Sequence, residues 1–489
     1  MAHVSYARRI ADHAAQRPDR LAVTDTERSV TWAEFDALAT ATARALQELG
    51  VGTGSFVTVM LPNSIEFLAT TVACWKLGAT PQPISFMAPP REARAIVDLA
   101  DSVVVVGADP ADFPDRTVLP KEWAPRPDHY EGAPLADATS DPWKAMTSGG
   151  STGRPKLILV GSAGTIDPDA RPMLMISPDG ALLMPGPLYH NGPFIWSTTA
   201  LLAGCHVVIG GRFDARTTLE LVERHRCDVV YLVPTMMQRI WRLPEDVRTG
   251  FDVSSLRAVW HLAAPCPAWL KHAWIEWLGA DTIFELYAGT EAQASTVITG
   301  REWLEHRGSV GRVTSGAMRI VDPDGNPLPP GEIGEVFMRA PDPTTPTYRY
   351  VGAEARTLGD GWESLGDMGY LDADGYLYLA DRKADMLLVG GANVYPAEIE
   401  AAIEEHPLVE SAVVVGLPDD DLGQRPHAIV HTTAEVSDDD LRAHLQDRIV
   451  RYKIPRSFER SSQPLRDDAG KVRRSALAEA RHTPNGHDS

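Results

Sequence analysis

Cysteine is scarce in this chain, with four in 489 residues: Cys74, Cys205, Cys227 and Cys266. Their spacings match no paired metal or redox motif, so the thiols read as reduced and buried, which suits the cytoplasm. Long apolar runs are missing too. No stretch reaches the roughly 18 residues that a membrane helix needs, and Met1 to Arg20 alternates polar and apolar residues without the apolar centre of a targeting peptide. A cytoplasmic protein with no membrane partner is expected. Positive charge is also in deficit, because 46 Lys and Arg stand against 66 Asp and Glu for a formal net charge of -20. That balance excludes nucleic acid as the main partner, and any anionic ligand must find local cations.

What remains is the composition of a core-forming chain, 44% apolar and 23% charged, and its length exceeds what one core usually supports. Apolar residues at helical spacing over Trp32 to Leu49 (Phe35, Leu38, Ala39, Leu46, Leu49) predict a helix, and Phe56 to Leu61 a strand. The alternation continues with a helix over Glu66 to Leu77 and strands at Val103 to Val106, Ala181 to Met184, His206 to Ile209 and Val229 to Val233. Such a rhythm predicts an α/β fold, with mostly parallel sheets flanked by helices and ligands near the carboxyl ends of the strands. The segment Pro267 to Leu278 reads as a helix that packs Leu270, Trp274, Trp277 and Leu278. The charged break Asp381-Arg382-Lys383-Ala384-Asp385 reads as a domain boundary. Beyond it lies a compact α+β unit with a helix at Pro396 to Glu405, a strand at Leu408 to Leu417 and a helix at Ser437 to Arg448. This divides the chain into 1–382, 383–479 and a frayed, disordered tail 480–489.

The densest signal is Thr147-Ser148-Gly149-Gly150-Ser151-Thr152-Gly153-Arg154-Pro155-Lys156. Its glycines let backbone N–H groups approach phosphate oxygens, its hydroxyls donate further bonds, and Lys156 or Arg154 supplies charge. It is not a Walker loop, because a proline separates the two cations and an apolar strand-like run, Leu157 to Val160, follows. A Gly/Ser surface turn is the competing reading. Further on, Glu285-Leu286-Tyr287-Ala288-Gly289-Thr290-Glu291 sets an aromatic, a hydroxyl and a carboxylate on one short turn after a strand. Gly366-Asp367-Met368-Gly369-Tyr370 precedes the turn signal Asp372-Ala373-Asp374-Gly375, and Arg382 lies in the boundary segment. Gly390-Gly391 leads towards a helix start, and Pro464 to Arg474 carries Gly470-Lys471.

In order and approximate spacing, and across nearly the whole chain, these segments resemble the acyl-adenylate-forming superfamily of AMP-binding enzymes. Its acyl-CoA and aryl-CoA ligase branch is the nearest. His261-Leu262-Ala263-Ala264-Pro265-Cys266-Pro267 and Pro187-Leu188-Tyr189-His190-Asn191-Gly192-Pro193 look most like bacterial bile-acid-CoA-ligase-type proteins. The resemblance implies a large N-terminal domain with a small β-barrel-like part and a small, mobile C-terminal domain. It implies ATP, Mg²⁺ and coenzyme A as cofactors or co-substrates and a hydrophobic carboxylic acid as substrate. Monomer and homodimer remain open.

The site implied is as follows. Thr147, Ser148, Gly149, Gly150, Ser151, Thr152, Gly153 and Lys156 would clamp the β- and γ-phosphates. Ala263, Ala264, Pro265, Glu285, Leu286, Tyr287 and Ala288 would lie against adenine, with Tyr287 stacking on the purine. Thr290 would donate to the α-phosphate and Glu291 would hold Mg²⁺, a hard cation that takes one or two carboxylates plus phosphates. Asp367 would accept from both ribose hydroxyls, with Arg382 adding a donor. Gly391 would let the pantetheine arm of coenzyme A pass, although a glycine pair is also ordinary punctuation. His190 would border the acyl pocket or else be a packed histidine. Lys471 would bridge the α-phosphate and the attacking carboxylate. Asn191, Phe194, Trp196, Trp260, His261 and Leu286 are candidate pocket walls. No Asp stands between Tyr189 and Phe194 to pair with a substrate ammonium, which disfavours an amino acid. The chain departs from the family pattern at Leu157, Ala288 and Ala384, where relatives often carry Gly, Gly, and Lys or Asp. Carrier-protein loading and a diazotase that activates nitrite for an aryl amine are alternative readings.

Overall fold

The computed structural model describes residues 3–149, 155–170, 173–419, 421–467 and 470–482. Residues Gly150 to Arg154, which include the phosphate-loop candidates Gly150, Ser151, Thr152 and Gly153, lie outside the described residues, as does the tail beyond 482.

At the centre is a fourteen-stranded sheet whose core is parallel. Its parallel strands run side by side in the order Leu21–Thr24, His206–Ile209, Ala181–Met184, Val229–Leu232, Ala258–His261 and Ile283–Ala288. The continuous Val/Leu/Ile character of these strands fits burial on both faces: Leu182, Leu183, Val207, Val208, Val229 and Val259 are all essentially inaccessible. After Ala181–Met184 the chain places its next strand on one side and the following one on the other, so the sheet order reverses at Met184. That reversal opens a crevice at the carboxyl ends of the strands.

The helices behave as their sequences dictate. The helix Trp32–Glu48 starts at a capping box in which Thr31 accepts from the Glu34 N–H and Glu34 accepts from the Thr31 N–H. Its apolar stripe, including Trp32, Phe35, Ala39 and Leu46, enters the core. Ser64 caps Ile65–Lys76, a helix apolar nearly all round and buried accordingly. The helix Ala268–Leu278 buries Leu270 and Trp274, while Trp277 and Leu278 pack half-buried against the same core.

Beyond Ala288 the sheet turns antiparallel through Ser295–Thr299, Gly311–Ser315, Tyr376–Arg382, Trp362–Leu371, Gly334–Arg339 and Ala317–Val321. These strands enclose a small core of their own around Ile320, Val336, Met338 and Leu377, which is where the expected barrel-like part falls. A four-stranded parallel sheet (Thr80–Pro83, Phe56–Val59, Val104–Val106, Thr117–Leu119) and a three-stranded antiparallel one (Tyr348–Val351, Pro155–Val160, Ala145–Gly149) complete the large unit.

From Leu387 onward a five-stranded sheet and the helices Pro396–Glu404 and Asp438–Gln446 surround a separate core of Val394, Ile399, Val414, Val430 and Leu441. Gly390 and Gly391 stand ahead of the helix Pro396–Glu404, as expected, with a short strand in between: they form the two-residue turn of a hairpin between Leu387–Val389 and Ala392–Val394, with φ of 58° and 83°, because that turn type needs positive φ at both positions. One expectation is corrected here. Residues Ala480 to His482 are not frayed but continue the helix Arg474–His482, on which Arg481 pairs with Glu459 at 2.5 Å.

Candidate active site

The motif residues converge on the crevice at the carboxyl ends of the parallel strands. Met184 leads through Pro187 to His190, which precedes the helix Asn191–Ala203, and Leu232 leads to Thr235. His261 leads to Ala263-Ala264-Pro265, and Ala288 leads to Thr290 and Glu291. Two non-glycine residues here hold positive φ, Ala263 at 73° and Ala292 at 55°. Alanine rarely adopts that conformation, and such outliers cluster where a loop is shaped for a ligand.

At one end of the crevice the Tyr287 hydroxyl donates to Asp367 Oδ2 at 2.6 Å, and Arg382 Nε lies 3.4 Å from Asp367 Oδ1. Asp367 and Arg382 are register partners on adjacent antiparallel strands, which fixes the pair. Burial, and then the Asp367 carboxylate, raise the Tyr287 pKa well above the phenol range, so the group is a permanent donor. Tyr287 sits within the strand Ile283–Ala288 rather than on the turn after it, because Leu286 to Ala288 keep their pairing with Ser295 to Val297. Leu286 is half-buried against the core, whereas Ala288 is exposed. Glu285 is turned to other use. Its buried carboxylate takes the buried Lys271 ammonium at 2.6 Å, so its side chain is committed to the core and not to adenine.

A second cluster surrounds Glu291. Its Oε1 accepts the Tyr350 hydroxyl at 2.6 Å and lies 3.5 Å from Lys156 Nζ, which rests 3.9 Å over the Tyr350 ring. Glu291 and Lys156 are both well shielded, at 7% and 20% side-chain exposure. Lys156 is held there by antiparallel pairing with Ser148, as Pro155 is with Gly149, so the phosphate-loop candidate is the connection between two paired strands. Thr147 Oγ1 is buried with no partner among the described residues, an acceptor and donor left over for a ligand. Thr290 is half-buried between this cluster and Ala288.

The small unit supplies the third part. Gly470 has φ of 74°, and a Cβ placed on it would lie 3.5 Å from Thr235 Oγ1 and 3.7 Å from Ala264 Cβ, so the Lys471 loop is seated on the strand ends of the large unit. Asp467 ties that loop: Lys471 N–H donates to Asp467 Oδ1 at 2.8 Å, and Asp467 N–H donates to the Lys471 carbonyl at 2.9 Å. Burial lowers the Lys471 pKa, with Asp467 opposing the change and Arg382 adding to it. Burial, reinforced by the Lys471 ammonium, pushes His190 down to about 3, so its imidazole is neutral at any ordinary pH. Gly391 is not brought to this cluster. Its turn is exposed, and its neighbour Gly390 is bonded to the Leu422 carbonyl of the small unit.

Several contacts seat the small unit on the large one. Arg473 Nη2 meets both oxygens of Glu92, at 3.0 and 3.2 Å, and the Arg242 guanidinium donates to the Val409 carbonyl. Within the small unit Arg474 joins Asp385 at 2.8 Å to Glu400 at 2.7 Å, and Arg466 adds a second bond to Glu400 at 2.7 Å.

The expected pocket walls are largely packed against each other. Phe194, Trp196, Trp260 and His261 are buried, Trp196 meets both Tyr231 and Trp260 edge-on, and Trp260 stacks on Phe284. One residue at this crevice had escaped notice in the sequence. Lys144 is only 3% exposed and donates to Asn191 Oδ1 at 2.7 Å. Its signal was a lone lysine directly before the strand Ala145–Gly149.

Two other features fall outside the crevice. His306, Asp372 and Asp374 are the one group of potential metal ligands found together among the described residues. However, Asp372 Oδ1 already accepts the N–H groups of Asp374 and Tyr376, at 3.0 and 2.8 Å, as a turn aspartate does. A cleft of about 550 Å³ lined by Arg20, Asp179, His206, Arg226 and Arg257 lies at the amino ends of the parallel strands, the opposite edge of the sheet. No helix among the described residues is long and apolar enough to cross a membrane.

Comparison with known proteins agrees with this geometry. The family "AMP-binding enzyme" matches residues 10–348, and "AMP-binding enzyme C-terminal domain" matches 398–466. A feruloyl-CoA synthase from an Amycolatopsis species is 30% identical, with 94% of this chain and 95% of that protein covered. An indoleacetate–CoA ligase from Aromatoleum aromaticum is 30% identical over the same shares. The o-succinylbenzoate CoA synthetase of Bacillus subtilis, solved with its acyl-adenylate intermediate, shares the fold at a TM-score of 0.81 and 24% identity, covering 99% of this chain and 100% of its own.

Proposed function

The chain belongs to the AMP-binding enzymes, and on that premise we propose that it is an ATP-dependent acid–CoA ligase. In the first half-reaction a substrate carboxylate oxygen attacks the α-phosphorus of ATP and pyrophosphate leaves, giving an acyl-adenylate. In the second, the thiol sulfur of coenzyme A attacks the acyl carbon, its proton goes to solvent, and AMP leaves.

The observation that carries this reading is the seating of the Gly470–Lys471 loop on Thr235 and Ala264, because it brings a lysine of the small unit to the crevice that holds the Tyr287–Asp367–Arg382 group and the Glu291–Lys156 group. In this assignment Asp367 and Arg382 hold the ribose, and Tyr287 and the Ala263 loop flank adenine. Lys156 and Thr147 take the β- and γ-phosphates. Lys471 compensates the charge that grows on the α-phosphate and on the attacking oxygen, the kind of interaction that strengthens only as the transition state forms. His190, held neutral, borders the reacting carboxylate without adding a competing charge.

Magnesium suits Glu291, whose second oxygen has no hydrogen-bond partner among the described residues and could join phosphate ligands while Tyr350 orients the first. Bound there, the ion would neutralise phosphate charge. For the second half-reaction the small unit must release Arg473–Glu92 and the Arg242–Val409 bond and present a different face. The hairpin turn at Gly391 is the candidate for lining the thiol's approach.

The relatives reported above act on aryl and indolyl acids, as their names state, and this supports a carboxylate over nitrite and a hydrophobic, non-amino acid as substrate. The test is pyrophosphate release over a panel of aryl, fatty, steroid and amino acids plus nitrite, with the thioester identified by mass spectrometry. The expected result is release with a hydrophobic acid and an acyl-CoA product. Release with nitrite alone, or with no acid on the panel, contradicts the proposal.

A further inference from the structure

Lys144 presents an electrostatic problem that the nucleotide assignment does not solve. Its side chain is 97% removed from solvent, since only 3% remains exposed, and its recorded contacts are the Asn191 amide oxygen at 2.7 Å and the Trp143 ring at 5.3 Å from the ammonium. Among the described residues no carboxylate stands within ion-pair distance of it. Glu291 acts on it only from afar, and the Glu291 Oε1 atom is already engaged by Tyr350 and Lys156. A buried charge without a partner is strongly unfavourable, so such a group either gives up its proton or is completed by an anion. Burial holds the ammonium down at about 7, as an uncompensated cation requires.

The place is specific. Asn191 is the first residue of the helix Asn191–Ala203, and its predecessor His190 makes no side-chain cap, although its carbonyl accepts the Phe194 N–H at 3.0 Å. The amino end of a helix carries the same electrostatic sign as Lys144, which makes the helix start a worse home for a lone cation and a better one for a cation with an anion. His190 itself is within the field of Lys471. Asn191 follows His190 directly beyond the carboxyl end of the strand Ala181–Met184, so the contact that holds Lys144 lies at the crevice.

We propose that Lys144 is the resident cation of the acid subsite and receives the carboxylate of the substrate before it attacks ATP, with Asn191 positioning the ammonium. The inference rests on the acid-activating function proposed above and adds to it a division of labour. Lys144, on the large unit, binds the acid in its ground state. Lys471, on the small unit, acts as charge develops. No bond to Lys144 forms or breaks, and the contact is ionic throughout.

The experiment compares wild type with Lys144→Met, Lys144→Arg and Asn191→Ala in pyrophosphate release, using the acid that the panel selects and its primary amide as a neutral competitor. For Lys144→Met the KM for the acid should rise about 30-fold or more, as loss of a charge-assisted contact predicts, with the KM for ATP within threefold. Wild type should prefer acid to amide, and Lys144→Met should bind the two alike. Lys144→Arg should recover part of the acid affinity, and Asn191→Ala should lose less than Lys144→Met does. The melting temperature of Lys144→Met should be equal to or above that of wild type, because an unpaired buried charge has been removed. An unchanged KM for the acid overturns the inference, and so does a parallel rise in both KM values. A fall of several degrees in melting temperature would make Lys144 a structural residue and overturn it as well. A loss confined to acids that carry a second carboxylate would relocate Lys144 to the far end of the pocket and overturn the stated role. Wild type inactive on every acid would defeat the parent proposal and this one together, whereas active wild type with an indistinguishable Lys144→Met defeats this one alone.

Discussion

Asp367 and Arg382 face each other across adjacent antiparallel strands, and the same Asp367 carboxylate takes the Tyr287 hydroxyl at 2.6 Å. Asp367 is only 14% exposed, so its free lone pairs are pre-oriented by two donors and offered to the crevice. Removing one partner of a charge-assisted bond costs roughly 1.5–3 kcal/mol. Asp367→Ala should therefore raise the KM for ATP by about 10- to 100-fold with a much smaller effect on the KM for the acid. Tyr287→Phe, which deletes a donor to Asp367 but keeps the ring, should cost less than tenfold. Steady-state kinetics with each substrate varied in turn will separate the two.

Lys471 belongs to the transition state of the first half-reaction in this account. Loss of one such preorganised donor typically costs about 10²–10³ in rate. Lys471→Ala should depress acid-dependent ATP–pyrophosphate exchange by that factor, while thioester formation from supplied acyl-adenylate and coenzyme A continues near the wild-type rate. Equal loss in both assays would remove the division between the two half-reactions.

The Arg473–Glu92 pair is exposed, at 79% and 35%, so its intrinsic worth is small. Its interest is that it joins the small unit to the large one in the arrangement that seats the Lys471 loop. Arg473→Glu should slow the exchange reaction a few-fold, more at low salt than at high, and the double reversal with Glu92→Arg should restore it. Salt-independent loss with no rescue would exclude the latch role.

Loss of solvent on folding depresses the pKa of several histidines: those of the buried His13 and the half-buried His206 to about 4, and that of the half-buried His190 to about 3. Each binds fewer protons in the folded chain than in the unfolded one between its folded value and about 6.5, so stability is complete above that pH and falls as pH drops below it. Each group contributes at most about 1.4 kcal/mol per pH unit. The melting temperature should fall steadily from pH 7 to pH 5, and His13→Gln, which can still donate to the Leu202 carbonyl, should flatten that slope.

The fold was largely readable because the evidence for it is local. Buried parallel strands such as Ala181–Met184 and Val229–Leu232 are bare apolar runs, and capped amphipathic helices such as Trp32–Glu48 announce both their start and their face. The misreadings came where a residue's role depends on a partner far along the chain. Glu285 looked like part of a ligand motif, yet Lys271, fourteen residues earlier, claims it. Gly390-Gly391 does precede the helix Pro396–Glu404, and what the sequence did not show is the short strand Ala392–Val394 in between. Phe194, Trp196 and Trp260 have the composition of a pocket lining and the packing of a core, a distinction that only backbone placement makes. Lys144 was passed over because nothing in its neighbours in sequence marks it. Its importance comes from Asn191, 47 residues away.

The central claim is that a carboxylate oxygen of the substrate attacks the α-phosphorus of ATP in the crevice between Asp367, Glu291 and Lys471. Oxygen-18 in both carboxylate positions of the acid selected by the panel tests it directly, by mass spectrometry of the nucleotide product after turnover with coenzyme A. The account predicts AMP carrying one oxygen-18 atom, with pyrophosphate unlabelled. Unlabelled AMP, or label in inorganic phosphate with ADP as the product, would contradict it.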